Sequence, residues 1–393
     1  MPGPTARACA RRPQASARSS RSPPVADPLA RPGPAPWWRP DRFARKLDNL
    51  RVRQRVLRAV RGFFENEGFD EVETPVLQVS PGLEPHLMAF QTVLRDPGER
   101  LTRRLYLHTS PEFAMKKLLA AGMPKIWQIA RCFRNSERSA THHPEFAMLE
   151  WYRAEADYTA LMADCEGLLR AAAAAAGIQK FQRGANASDP FAPFERLSVA
   201  EAFARHCGLD LLAASPDPAR PGDEANALDR LAAAARPLGM VPHAGDRWDD
   251  FFFRLFFEHI EPKLGMVRPT ILYDWPIAMA ALARPKPGDG RVAERFELYV
   301  CGVELANAFG ELTDAAEQRR RFEADQDLKV KLYRERYPVD EDFLAALVHG
   351  LPPSAGIALG FDRLVMLATG ASHIEDTIWA PVAPAGFDDA GRR

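Results

Sequence analysis

The 393-residue sequence has no excess of charge of either sign: lysine plus arginine and aspartate plus glutamate both number 52. A protein that holds nucleic acid chiefly by neutralising phosphates carries a basic excess, so this balance argues against that mode. Cysteine is scarce. The five present (Cys9, Cys132, Cys165, Cys207 and Cys301) are odd in number, widely separated and without a C-x-x-C pair. That is neither a disulfide framework nor a zinc-ligand pattern, and it suits a reducing, cytoplasmic setting. Long apolar runs are missing too. The most apolar stretch, Ala171 to Ala176, is six alanines, far short of the roughly 18 to 20 residues that span a bilayer. No internal repeat is visible.

What is present, 46% hydrophobic and 26% charged residues, fits a soluble globular protein with a sizeable core. Residues 1–40 differ from the rest: they hold 10 of the 34 prolines, seven arginines and one acid, Asp27. Such a segment buries too little surface to offset its ordering entropy, so residues 1–36 read as a disordered tail. It lacks the apolar core of a secretory signal. A transit peptide, a plain tail and an over-extended gene start all fit it. Residues 37–393 read as one catalytic-sized domain.

Phe43, Leu47, Leu50, Val56, Leu57, Val60, Phe63 and Phe64 recur at helical spacing, which predicts an amphipathic helix ending near Gly68. Phe69 to Leu77 reads as a strand carrying Pro75, hence an edge or interface element. Ser110-Pro111-Glu112 is a helix start. Segments 126–134 and 145–152 predict two strands joined by a polar loop, and strands and helices interleave thereafter without regular alternation. The fold class is therefore α+β, with a mostly antiparallel sheet flanked by helices.

Three segments carry chemistry. In the first, alternation puts Phe146, Met148, Glu150 and Tyr152 on one strand face, opposite Arg134 at the end of the preceding strand. Such a set can hold a phosphate, stack a base and bind an amine. In the second, Phe296 to Phe309, a two-residue turn at Cys301-Gly302 pairs Tyr299 with Glu304 and Glu297 with Ala306. Glu297 and Glu304 then share a face, where magnesium shared with nucleotide phosphates is the natural occupant. Glu311 has the wrong parity for that face unless a bulge intervenes near residues 308–310. The third, Gly356 to Arg363, places two glycines and an arginine where a backbone meets a ligand. Each also has a plainer reading: an exposed hairpin, two solvated glutamates, a tight strand–helix turn.

Together, in order and spacing, the segments resemble the motifs of class II aminoacyl-tRNA synthetases. Phe69 to Leu77 resembles motif 1, Arg131 to Tyr152 motif 2, and Gly356 to Leu367 motif 3. The runs HPEFAMLEWYRA (143–154), VELANAFGELTDAAEQRRRF (303–322) and LVHGLPPSAGIALGFDRLVMLATG (347–370) resemble the lysyl-tRNA synthetase branch. Motif 1 starts too early for the anticodon-binding domain of that branch. The plan is similar to that of the elongation factor P lysine ligases, a family of catalytic-domain paralogues.

The resemblance implies ATP and Mg2+ as cofactors, lysine or β-lysine as substrate, elongation factor P rather than tRNA as acceptor, no membrane, and a homodimer built through motif 1. It implies that Arg134 holds the α-phosphate, Phe146 stacks on adenine and Arg363 holds the γ-phosphate. Asn135, Ser136, His143, Leu305 and Gly360 would complete the ATP site, and Glu297 and Glu304 the metal site. Ser110, Pro111 and Glu112 would line the amino-acid site, with Tyr152 and Glu311 receiving the far ammonium. Ser136, His143 and Ala308 stand where the family usually has glutamate, asparagine and glycine. A minimal lysyl-tRNA synthetase and an inactive synthetase-like binding protein are the alternative functions.

Overall fold

The computed structural model describes residues 36–98, 102–220 and 222–382. The tail reading therefore lies almost wholly outside the described residues. The first long helix, Leu47–Asn66, buries Leu50, Arg53, Val56, Val60 and Phe64, one stripe at the spacing the sequence predicts. The helix Tyr158–Ala176 packs beside it. It begins where the Asp157 side chain accepts from the Thr159 amide and ends at Gly177, which adopts φ 77°.

Both helices lie on one face of a nine-stranded sheet. Its order is Asp70–Glu71, Lys125–Phe133, Glu145–Ala154, Ser354–Gly360, Val303–Gly310, Asp289–Val300, Thr270–Pro276 and Glu195–Ser198, with Pro285–Lys286 beside Asp289–Val300. Pairing is antiparallel except at the two outer edges, where Asp70–Glu71 and Glu195–Ser198 run parallel to their neighbours. Ala147, Leu149 and Trp151 face the helices and join the main core. Phe146 and Met148, of opposite parity, face a cavity on the other side.

A second cluster of buried side chains, including Phe203, Leu231, Phe252 and Phe256, gathers the helices between residues 199 and 264 against Leu272, Trp275 and Tyr299 of the sheet. A third cluster stacks Phe113 on Phe343, with ring centroids 4.8 Å apart, and so joins the helices Glu112–Ala120 and Glu341–Gly350. No helix of the described residues is long and apolar enough to cross a membrane.

Two expectations need correcting. The motif 1 strand is not continuous: only Asp70–Glu71 and Leu77–Gln78 pair, because Thr74 bonds the Gln128 side chain instead of a neighbouring strand and Pro75 offers no donor. In the hairpin, Tyr299 does pair with Glu304, but Glu297 pairs with Asn307 and Leu298 with Ala306. Leu305 is left over as a bulge residue. The turn itself has positive φ at both Cys301 (52°) and Gly302 (69°), as a type I′ hairpin turn requires. The bulge reverses parity at Leu305, well before residues 308–310. It puts Glu304, Asn307, Phe309 and Glu311 on one side.

Candidate active site

A cavity of about 460 Å³ opens on the face of the sheet away from the two long helices. Its floor is Phe146, Met148, Ala358, Gly360 and Asn307, and its rim includes Arg134, Glu304, Arg363 and Glu112. Strand alternation and the Leu305 bulge aim the floor residues inward. Chain ends do the rest: Arg134 follows the strand Lys125–Phe133, and Arg363 sits in the first turn of the helix Phe361–Thr369.

Arg134 lies over the Phe146 ring, its guanidinium carbon 5.1 Å from the centroid. Its buried Nε has no hydrogen-bond partner among the described residues. A buried donor left without a partner marks a place for an anion. Arg363 donates to the Glu304 carbonyl at 2.7 Å and approaches His142 Nε2 at 2.7 Å. Burial and the neighbouring Arg363 and Arg134 push the His142 ring down to about 4, so it is neutral and accepts from the guanidinium.

The amino-acid end is more deeply buried. Ser110 Oγ accepts from the Glu112 amide at 3.1 Å and donates to Glu150 Oε2 at 2.9 Å. The helix proper starts one residue after Pro111, which stands at its cap. Tyr152 donates to Glu150 Oε1 at 2.5 Å. Burial, with repulsion from Glu112, raises the Glu150 carboxyl to about 8. Glu311 is 1% exposed, and burial raises it too, against the pull of Lys116. Gly356 lies beneath both groups: a Cβ there would come within 2.1 Å of the Tyr152 ring and 2.4 Å of Glu311 Oε1. Only glycine leaves room for this pairing. At Gly360 a Cβ would meet Arg363 Cδ at 3.3 Å, tight but not forbidding.

Several expected residues stand elsewhere. Asn135 and Ser136 are exposed and do not border the cavity. Ser136 adopts φ 64°, and that left-handed turn brings Glu137 to the cavity instead, 4.0 Å from Arg134. His143 borders the cavity with both ring nitrogens engaged by backbone, at Glu145 O (2.5 Å) and Val382 N (3.2 Å). Leu305 contributes at the bulge. Tyr152 and Glu311 sit behind the cavity wall.

For a metal, Glu304 is the accessible carboxylate, and it forms no ion pair among the described residues. Glu297 is held by Arg295 at 2.6 Å and by the Tyr299 hydroxyl at 2.5 Å, and burial raises it to about 7. Each of its oxygens thus already has a protein partner. No group of three or more metal-binding side chains occurs among the described residues. A bound magnesium ion would therefore take the rest of its shell from phosphate oxygens and water, its usual habit.

Lys116 and His142 have no role in the sequence reading, and Glu150 stands there on the amine-binding strand face without a role of its own. For Lys116 the available signal was its i,i+4 spacing from Glu112; for Glu150, its shared strand face with Phe146 and Tyr152. His142 carried no signal beyond adjacency to His143.

A buried acidic end joined to an arginine-rimmed, aromatic-floored cavity on an antiparallel sheet is the plan of an aminoacyl-adenylating domain. The family tRNA synthetases class II (D, K and N) matches residues 41–383. Over 345 residues the chain is 40% identical to the elongation factor P–(R)-beta-lysine ligase of Proteus mirabilis, covering 88% of this chain and 97% of that protein. The proteins of the same name from Edwardsiella ictaluri (41%, 87% and 96%) and Yersinia enterocolitica (40%, 88% and 98%) are similarly close. The chain belongs to the class II tRNA synthetase family (D, K and N).

Proposed function

We propose that the protein is an ATP-dependent ligase that activates (R)-β-lysine, or lysine, and transfers it to a lysine ε-amine of elongation factor P in the cytoplasm. The names of its relatives support this reading, but the observation that carries it is the acidic end of the cavity. Ser110, Glu112, Glu150, Tyr152 and Glu311 converge there, in a place too buried to tolerate negative charge without cations. A diamino acid supplies them.

The substrate carboxylate attacks the α-phosphorus of ATP and pyrophosphate leaves, giving an aminoacyl adenylate. Arg134 neutralises the charge that builds on the α-phosphate, and Arg363 holds the departing phosphates after exchanging its His142 contact for them. Phe146 offers its face to the base once Arg134 swings onto phosphate. Magnesium at Glu304 would further neutralise the phosphates. The acceptor ε-amine then attacks the acyl carbonyl, AMP leaves, and an amide bond forms. No covalent enzyme intermediate is needed, and catalysis is positioning and electrostatics.

Lysine-dependent exchange of pyrophosphate into ATP tests the first half. Exchange with lysine or β-lysine and not with norleucine supports the reading, and equal exchange with norleucine contradicts it. A minimal lysyl-tRNA synthetase would share this half-reaction but charge tRNA.

A further inference from the structure

The amino-acid end of the site already contains a lysine, one of the protein's own. Lys116 is 1% exposed. Its Nζ lies 2.5 Å from Glu112 Oε1 and 2.5 Å from Glu311 Oε2, with the Phe343 ring 5.9 Å away. Its neighbour Lys117 points the other way, to Asp340 and Asp342, so burial is particular to Lys116. Glu112 borders the open cavity while Glu311 lies behind its wall. The Lys116 ammonium thus sits at the junction between them. The second oxygen of Glu311, Oε1, is buried without a hydrogen-bond partner among the described residues.

Two buried carboxylates this close would repel without a cation between them, and one would take up a proton. Three carboxyl groups converge here: Glu112, Glu150 and Glu311. Lys116 is the cation bonded to two of them, Glu112 and Glu311, while Ser110 and Tyr152 bond the third, Glu150. Glu84 faces Glu112 from the preceding loop, and Arg284, paired with Glu294 at 2.6 Å, faces Glu311 from outside. With Glu150 protonated in the empty site, Glu112 and Glu311 against one ammonium leave one charge unmatched, and Glu150 supplies a second once a bound ammonium draws off its proton; a lysyl or β-lysyl group carries two amines. We propose that Lys116 is a positioning residue of the amino-acid site: it aligns Glu112 and Glu311 and fills one of three cation places, so that the site accepts a substrate with two amino groups. The inference rests on the diamino-acid reading above.

Lys116→Met keeps the length of the side chain and removes the charge. In the full chain it raises the KM for lysine in pyrophosphate exchange at least about tenfold, with the KM for ATP within about twofold. Lys116→Ala leaves space for a small cation, so propylammonium restores part of its lysine affinity and 1-propanol does not. Propylammonium gives no such activation of the unmodified protein. An unchanged lysine KM in Lys116→Met, or equal rescue by the alcohol, overturns the inference. So does a parallel rise in both KM values, which marks a merely structural lysine. If the unmodified protein shows no lysine-dependent exchange, the ligase reading itself fails, a result distinct from any of these.

Discussion

On the proposed reading Glu311, together with Lys116, sets the far-ammonium end of the site, and Glu311→Gln keeps the shape of the side chain while removing its charge. A charged hydrogen bond is worth about 1.5 to 3 kcal/mol, so the KM for lysine should rise about ten- to a hundredfold while ATP binding is spared. Steady-state pyrophosphate exchange with each substrate varied in turn checks this. Glu150 supplies a second residue-scale test. Its carboxyl, raised to about 8 by burial, is protonated at neutral pH. Binding an ammonium beside it draws that proton off, at a cost that falls as pH rises. The kcat/KM for lysine should therefore climb between pH 6.5 and 8 by at most about tenfold per unit. The climb should be lost in Glu150→Gln. At this scale the residue types and their faces were readable: Phe146, Glu150 and Tyr152 lie as alternation requires. Lys116 was not, because a helical lysine four residues from a glutamate is ordinarily a solvated surface pair. Only the packing of Phe343 and Glu311 against it makes it something else.

Between elements, one buried carboxylate ties together the segments that carry Arg363 and Phe146, the proposed phosphate and base ends of the site. Asp362, next to Arg363, accepts from the Ala147 amide at 2.7 Å, next to Phe146. Arg53 of the first long helix pairs with Asp362 and covers the Phe361 ring, its guanidinium carbon 4.8 Å from the centroid. Both charged groups are under 10% exposed. Arg53→Met strands the aspartate, and breaking a buried pair this way typically costs about 3 to 5 kcal/mol. Urea denaturation should show a loss of that order, and Asp362→Asn in the same chain should recover part of it. No recovery would mean that packing on Phe361, and not charge, is what Arg53 supplies. Element positions were largely legible, since helical stripes and strand alternation depend on local spacing. The Leu305 bulge was not. It inserts one residue without changing the hydrophobic character of the run, so the pattern does not show that the bulge Glu311 needs to join the face lies at Leu305 and not near residues 308–310. The broken motif 1 strand escaped for a similar reason: Gln128, 54 residues away, competes for the Thr74 amide.

On the scale of the whole molecule, family resemblance implies a dimer through motif 1. Leu77, Val93 and Leu94 of a small three-stranded sheet, with Val79 just after its first strand, are 40–52% exposed, an apolar group of the kind that interfaces cover. Sedimentation at micromolar concentration should give a dimer, and a monomer there would contradict it. On the proposed function this chain joins a lysine-type acyl group to a protein amine. The most direct measurement is the intact mass of elongation factor P after incubation with the protein, ATP, magnesium and (R)-β-lysine, with tRNA offered in a parallel reaction. The account predicts a gain of one β-lysyl group on a single lysine, dependent on ATP and abolished by Arg134→Ala, with tRNA left uncharged. Unmodified elongation factor P beside lysine-charged tRNA would contradict it.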